Sequence, residues 1–125
     1  MIGRLKGRVV SCQNGVAVVD VGGVGFEVFV DAQTSLDLGV PGDSVVLLIR
    51  TVVREDAISL FGFFDESARE VFDLLRNVTG IGPKMAIGIM GGLPLHVMVQ
   101  AVREKDIRLL STISGVGKKT AERLV

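Results

Sequence analysis

The chain has no tryptophan, no tyrosine and a single cysteine among its 125 residues. Proteins that hold single-stranded nucleic acid stack bases on exposed aromatic rings. Only six Phe are present for that purpose, at positions that read as core and domain-junction packing. Cys12 alone permits neither an internal disulfide nor a cysteine metal cage. The sole histidine, His96, is far along the chain, so Cys12 reads as a half-buried strand residue rather than a nucleophile, and His96 as a surface residue. No apolar run approaches the roughly 20 residues that span a bilayer. The N-terminus alternates Arg4, Lys6 and Arg8 with apolar residues and lacks the unbroken apolar block of a signal peptide. These absences set the expectation of a cytoplasmic protein.

Net charge is absent too: 14 Lys plus Arg balance 14 Asp plus Glu. What is present is apolar, 48% of residues with mean hydropathy +0.50, which excludes a disordered chain. Neutrality counts against nucleic acid as a partner, because DNA-binding domains are usually basic. Its distribution counts the other way. Residues 1–62 carry five basic and seven acidic side chains, whereas residues 63–125 carry nine and seven. From Ile107 onward, Arg108, Lys118, Lys119 and Arg123 face only Glu122. Any polyanion site belongs in the second half.

The two halves differ in periodicity. Leu5–Cys12 and Val16–Val21 are rich in β-branched residues and flank Asn14-Gly15, a strong hairpin signal. Val24–Val30, Ser44–Val53 and Ala57–Phe61 complete five strands, with a short helix over Thr34–Leu38 capped by Thr34 between the third and fourth. A five-stranded barrel of the OB type satisfies this order. From Phe63 the pattern turns helical. Asp65 caps a helix with Val71, Phe72, Leu74, Leu75 and Val78 on its apolar side. Pro83 opens a second helix that Gly91-Gly92 ends. A third helix follows Pro94, and two more start near Asp106 and Lys118. Met85, Met90 and Met98 fall at core-like positions as gap-fillers. The expected fold is all-β followed by all-α: a barrel domain over 1–63 and a five-helix domain over 64–125.

The most informative feature is a self-match at an offset of 35 residues. Leu75-Arg-Asn-Val-Thr-Gly-Ile-Gly-Pro-Lys-Met-Ala aligns with Leu110-Ser-Thr-Ile-Ser-Gly-Val-Gly-Lys-Lys-Thr-Ala. Each copy runs from a helix end through a hydroxyl residue and Gly-apolar-Gly to a basic helix start. A helix N-terminus presents unpaired N–H groups and about half a positive charge, and so attracts phosphate. Gly80, Gly82, Gly115 and Gly117 lack a Cβ and let a nucleic-acid backbone come close. Ile81 and Val116 can plug the core beneath, and Lys84, Lys118 and Lys119 add charge. Such a device grips phosphates without reading bases. A plain αα-hairpin with glycine turns would explain one Gly-x-Gly; two copies with matching flanks favour the phosphate grip. A nucleotide-hydrolysing loop is excluded, because Lys119 stands where Ser or Thr is required and Thr112 replaces the first glycine.

Gly80-Ile-Gly-Pro-Lys and Gly115-Val-Gly-Lys-Lys-Thr-Ala-Glu-Arg resemble paired helix-hairpin-helix motifs. Together with Met1-Ile-Gly-Arg-Leu-Lys-Gly, Gly22-Gly-Val-Gly-Phe and Val53-Arg-Glu-Asp…Leu60-Phe-Gly-Phe, they are similar to the RuvA family of Holliday-junction branch-migration proteins over nearly the whole chain. The resemblance implies a non-enzymatic, cofactor-free and metal-free subunit that binds four-way junction DNA. It implies a homotetramer, or a pair of tetramers, that holds the junction open. The implied partners are a RuvB-type hexameric ATPase and a RuvC-type resolvase. Thr79, Lys84, Ser114, Lys118, Lys119 and Arg123 would contact or neutralise phosphates, while Gly80, Gly82, Gly115 and Gly117 allow close approach. Taken alone, Glu55 and Asp56 are two carboxylates in a solvated turn. The resemblance makes them an acidic pin that repels phosphates at the junction centre. The family continues into a linker and a small helical domain that engages the ATPase, so that coupling is not assigned to these residues.

Two alternatives belong to other classes. A helix-hairpin-helix glycosylase would use Lys119 as a Schiff-base lysine, but it needs a later Asp and often a four-cysteine cluster, for which Cys12 does not suffice. An OB-type single-strand binder lacks its exposed aromatics.

Overall fold

A computed structural model of the chain describes residues 1–125. They form two compact units, Met1–Arg69 and Glu70–Val125. The first contains β1 (Arg4–Gln13), β2 (Val16–Val21), β3 (Val24–Phe29), α1 (Ala32–Asp37), β4 (Ser44–Val53) and β5 (Ile58–Phe63). The strands close into a barrel in the order β1-β2-β3-β5-β4, the five-stranded OB-type arrangement expected from their number and spacing. Asn14 and Gly15 both take positive φ, 53° and 76°. The tight β1–β2 turn requires this of its two central residues.

Closure depends on β1 serving two partners. Arg4–Arg8 pair with β4, and Arg8–Gln13 pair with β2. The register shifts between Val9 and Ser11, leaving Val10 as an extra, bulged residue that bends the strand. Gly7 precedes the bend, where any Cβ would strike the Asp20 carbonyl oxygen. On the other side, β3 and β5 pair in parallel through Val28 with Leu60 and Phe29 with Phe61. The two rings stack with centroids 5.3 Å apart. Leu5, Val9, Ala17, Val19, Val28, Leu47 and Ile49 fill the interior, while Arg4, Lys6 and Arg8 alternate outward into solvent.

The cap of α1 differs from expectation. Asp31, not Thr34, is the N-cap: its carboxylate accepts from the Thr34 N–H at 2.9 Å and from the Thr34 hydroxyl at 3.0 Å. A carboxylate immediately before the helix reaches the N3 amide better than a hydroxyl already inside the first turn. Cys12 is half-buried, with Sγ 3.3 Å from the Ser35 hydroxyl.

The helical half contains α2 (Glu66–Arg76), α3 (Pro83–Met90), α4 (Leu95–Arg103), α5 (Ile107–Leu110) and α6 (Lys118–Leu124), the five helices expected. Asp65 accepts from the Ala68 N–H at 2.8 Å and Asp106 from the Leu109 N–H at 3.0 Å. A carboxylate therefore starts each of α2 and α5. Helices this short are held by packing. Phe72, Ala86, Leu110 and Ala121 are fully buried, joined by Ile89, Met90 and Met98, while Met85 is half-buried and His96 exposed. Two residues depart from the expected apolar face of α2. The helix ends at Arg76, placing Val78 in the following loop, and Leu74 is 67% exposed. Leu74, Val71, Met98, Val102 and Leu124 line an open apolar groove of about 270 Å³. No single helix is long and apolar enough to cross a membrane.

Candidate nucleic-acid interface

The repeat in sequence is a repeat in backbone. In the first copy the chain leaves α2 through hydrogen bonds Asn77 N–H to Leu74 O (3.2 Å), Val78 N–H to Leu75 O (3.1 Å) and Ile81 N–H to Val78 O (3.1 Å). The second copy leaves α5 through Thr112 to Leu109 (3.0 Å), Ile113 to Leu110 (3.2 Å) and Val116 to Ile113 (3.0 Å), at the same offset throughout. Gly80 and Gly115 take φ of +87° and +85°. This left-handed conformation disfavours any side chain. Gly82 and Gly117 then stand at the N-caps of α3 and α6, extended, with φ of −84° and −86°. Ile81 and Val116 are buried to 6% and 4% exposure, anchoring both loops from below.

The start of each hairpin helix is left open. Helices α1, α2 and α5 are capped by Asp31, Asp65 and Asp106. At α3 and α6 the N-cap is glycine, and no side chain accepts from the first-turn amides. Nothing inside the chain demands glycine at 117: its φ is ordinary, and a Cβ there would meet nothing within 4 Å. The result is two helix starts whose first-turn N–H groups have no side-chain cap, the electrostatic form of an anion site. Lys84, Lys118 and Lys119 are exposed around them. The hydroxyls of Thr79 and Ser114, also exposed, make no hydrogen bond within the chain, which leaves them available as donors.

Arg123 has a placement that sequence spacing does not reveal. It belongs to α6, yet its Nη1 is 3.5 Å from the Thr79 carbonyl oxygen in the first hairpin. Glu55 and Asp56 occupy the tip of the β4–β5 turn, closed by Arg54 N–H to Ala57 O at 2.8 Å. Both are exposed, and neither makes a hydrogen bond or ion pair within the chain. No three His, Cys, Asp or Glu side chains converge anywhere in the molecule, so it offers no assembled set of metal ligands.

Comparison with known proteins agrees with both halves. Residues 1–62 match the family model described as RuvA N terminal domain, and residues 72–125 match that described as SAM-like helix-hairpin-helix tandem. Proteins named Holliday junction branch migration complex subunit RuvA from Brucella anthropi, Brucella canis and Brucella suis are each 45% identical over all 125 residues. The chain spans 61% of the length of these relatives. With a closed five-stranded barrel followed by a duplicated glycine-turn hairpin, and with relatives of one name along its whole length, the chain belongs to the RuvA family.

Proposed function

We propose that this chain is the junction-binding part of a branch-migration complex: it grips four-way junction DNA by its phosphates and performs no chemistry on it. One observation carries the reading. The two helix starts of the repeat share a glycine N-cap with no side-chain cap over the first-turn amides, while α1, α2 and α5 carry aspartate caps and α4 starts at Pro94 without one. Unpaired amides, flanking hydroxyls and lysines suit an anion supplied from outside, and their repetition suits a polyanion. Contacts of this kind fix position on a duplex without selecting sequence.

In this reading residues 1–63 and 64–125 act as separate modules. Thr79, Ser114, Lys84, Lys118, Lys119 and Arg123 contact phosphate, and Gly80, Gly82, Gly115 and Gly117 admit it. Glu55 and Asp56 serve the opposite purpose. Two unpaired carboxylates at a protruding turn repel phosphates, and repeated by symmetry about a crossover they keep exchanging strands apart. That role requires several copies around one point, so the assembly is a homotetramer, alone or paired face to face. A RuvB-type ATPase supplies the motor, a RuvC-type resolvase acts on the same junction, and the site of action is the cytoplasm.

The test is a competition assay with the complex mass measured in the same sample. A synthetic four-way junction should bind much more tightly than duplex of equal length, in a complex with a multiple of four chains. Equal affinity for both, or a monomeric complex, would sink the proposal.

A further inference from the structure

The two hairpins share a backbone but differ in their charges. At the offset of the repeat, Pro83 corresponds to Lys118, Lys84 to Lys119, and Gly88 to Arg123. The second helix start therefore has two adjacent cations of its own. The first has one, and Pro83 also removes an N–H donor. Arg123 crosses from the second copy to the first. Its Nη1 lies 3.5 Å from the Thr79 carbonyl oxygen, and a Cβ on Gly80 would sit 3.1 Å from that nitrogen. No reciprocal contact exists, because the corresponding residue of α3 is Gly88, which has open space beside it.

We infer that Arg123 belongs functionally to the first hairpin: it completes the phosphate site of Thr79, Gly80 and Lys84 rather than that of the helix it stands on. The inference rests on the reading that the hairpins grip phosphates, and adds a division of labour to it. A guanidinium has five N–H donors in a planar fork. One directed at the Thr79 carbonyl holds the loop in place, and the others remain for an anion above Gly80. Each hairpin then has two cations: Lys118 and Lys119 in the second, Lys84 and the borrowed Arg123 in the first.

A double-mutant cycle on synthetic four-way junction DNA at one fixed salt concentration tests this. The proteins are wild type, Arg123→Ala, Lys84→Ala, Lys119→Ala, and the doubles pairing Arg123→Ala with each lysine. Each single change should weaken binding about 3- to 5-fold, as expected for one screened phosphate contact. The Arg123/Lys84 double should be less than about twofold worse than its worse single, because both serve one site. The Arg123/Lys119 double should show the product of its two singles. The Gly80 amide resonance should move in Arg123→Ala while that of Gly115 stays. Multiplicative losses with Lys84, or coupling to Lys119 instead, would overturn the assignment. So would an unchanged Arg123→Ala when both lysine variants weaken. Unchanged affinity in all three singles would overturn the phosphate reading beneath it. Arg123→Gln, which keeps a polar, helix-favouring side chain but removes the charge, replaces Ala if the alanine variant loses helical signal.

Discussion

At the scale of single residues, function is written in what the hairpin helices do without. An aspartate at position 117 would suit the local backbone, since φ is −86°, ψ is −178° and a Cβ meets nothing. Gly117→Asp should therefore cap α6 and raise stability by about 0.3 kcal/mol, because aspartate is a slightly better N-cap than glycine. The same carboxylate would occupy the place of a phosphate, so junction affinity should fall at least about tenfold. Thermal unfolding and binding measured on one preparation would separate the two effects. A variant that lost both would mean that the glycine is structural. The acid pair makes the converse prediction. Glu55→Lys with Asp56→Lys replaces repulsion by attraction, so total DNA affinity should rise while preference for the junction over duplex declines. Preference unchanged in a competition gel would return the pair to the role of a solvated turn.

Among the elements, β1 bears the greatest constraint. Its two halves pair with different strands, and the chain turns from one to the other around Gly7 and the bulge at Val10. Gly7→Ala drives a methyl group into the Asp20 carbonyl and should destabilise the barrel by about 2–3 kcal/mol, the scale of overpacking against unyielding backbone. Urea denaturation followed by circular dichroism would read this loss directly. Strand positions were largely legible in the sequence, because alternation and β-branching mark an outer and an inner face at each residue. The loops of the repeat were legible for a related reason: Gly80 and Gly115 must be glycine on local grounds alone. What could not be read is non-local. The parallel pairing of β3 with β5 joins strands separated by α1 and the whole of β4, with no turn signal to announce it. Arg123 reaches back from the last helix to the first hairpin loop, and Leu74 is exposed although its spacing suits a buried face. The misplaced cap of α1 had a nearer cause, two capable capping residues three positions apart.

For the molecule as a whole, neutrality is a sum over two charge-separated halves. The positive groups proposed for DNA all lie in the second, so binding should respond to salt far more than the net charge suggests. The logarithm of affinity should fall linearly with the logarithm of salt concentration, by about 0.9 for every phosphate neutralised. Lys118→Gln should flatten that slope by about one phosphate's worth for each chain bound. An unaltered slope would remove Lys118 from the interface. The divided pairing of β1 also bears on how the molecule is made. During synthesis the hairpin with β2 can form early, but Arg4–Arg8 wait for β4, which begins at Ser44. For that interval half of β1 is an unguarded edge, the usual point at which nascent chains pair with one another. Arg4, Lys6 and Arg8 line that half at every second residue, and like charges at this spacing repel another copy of themselves. Until β4 arrives to complete the pairing of β1, the strand's own charges protect its open half.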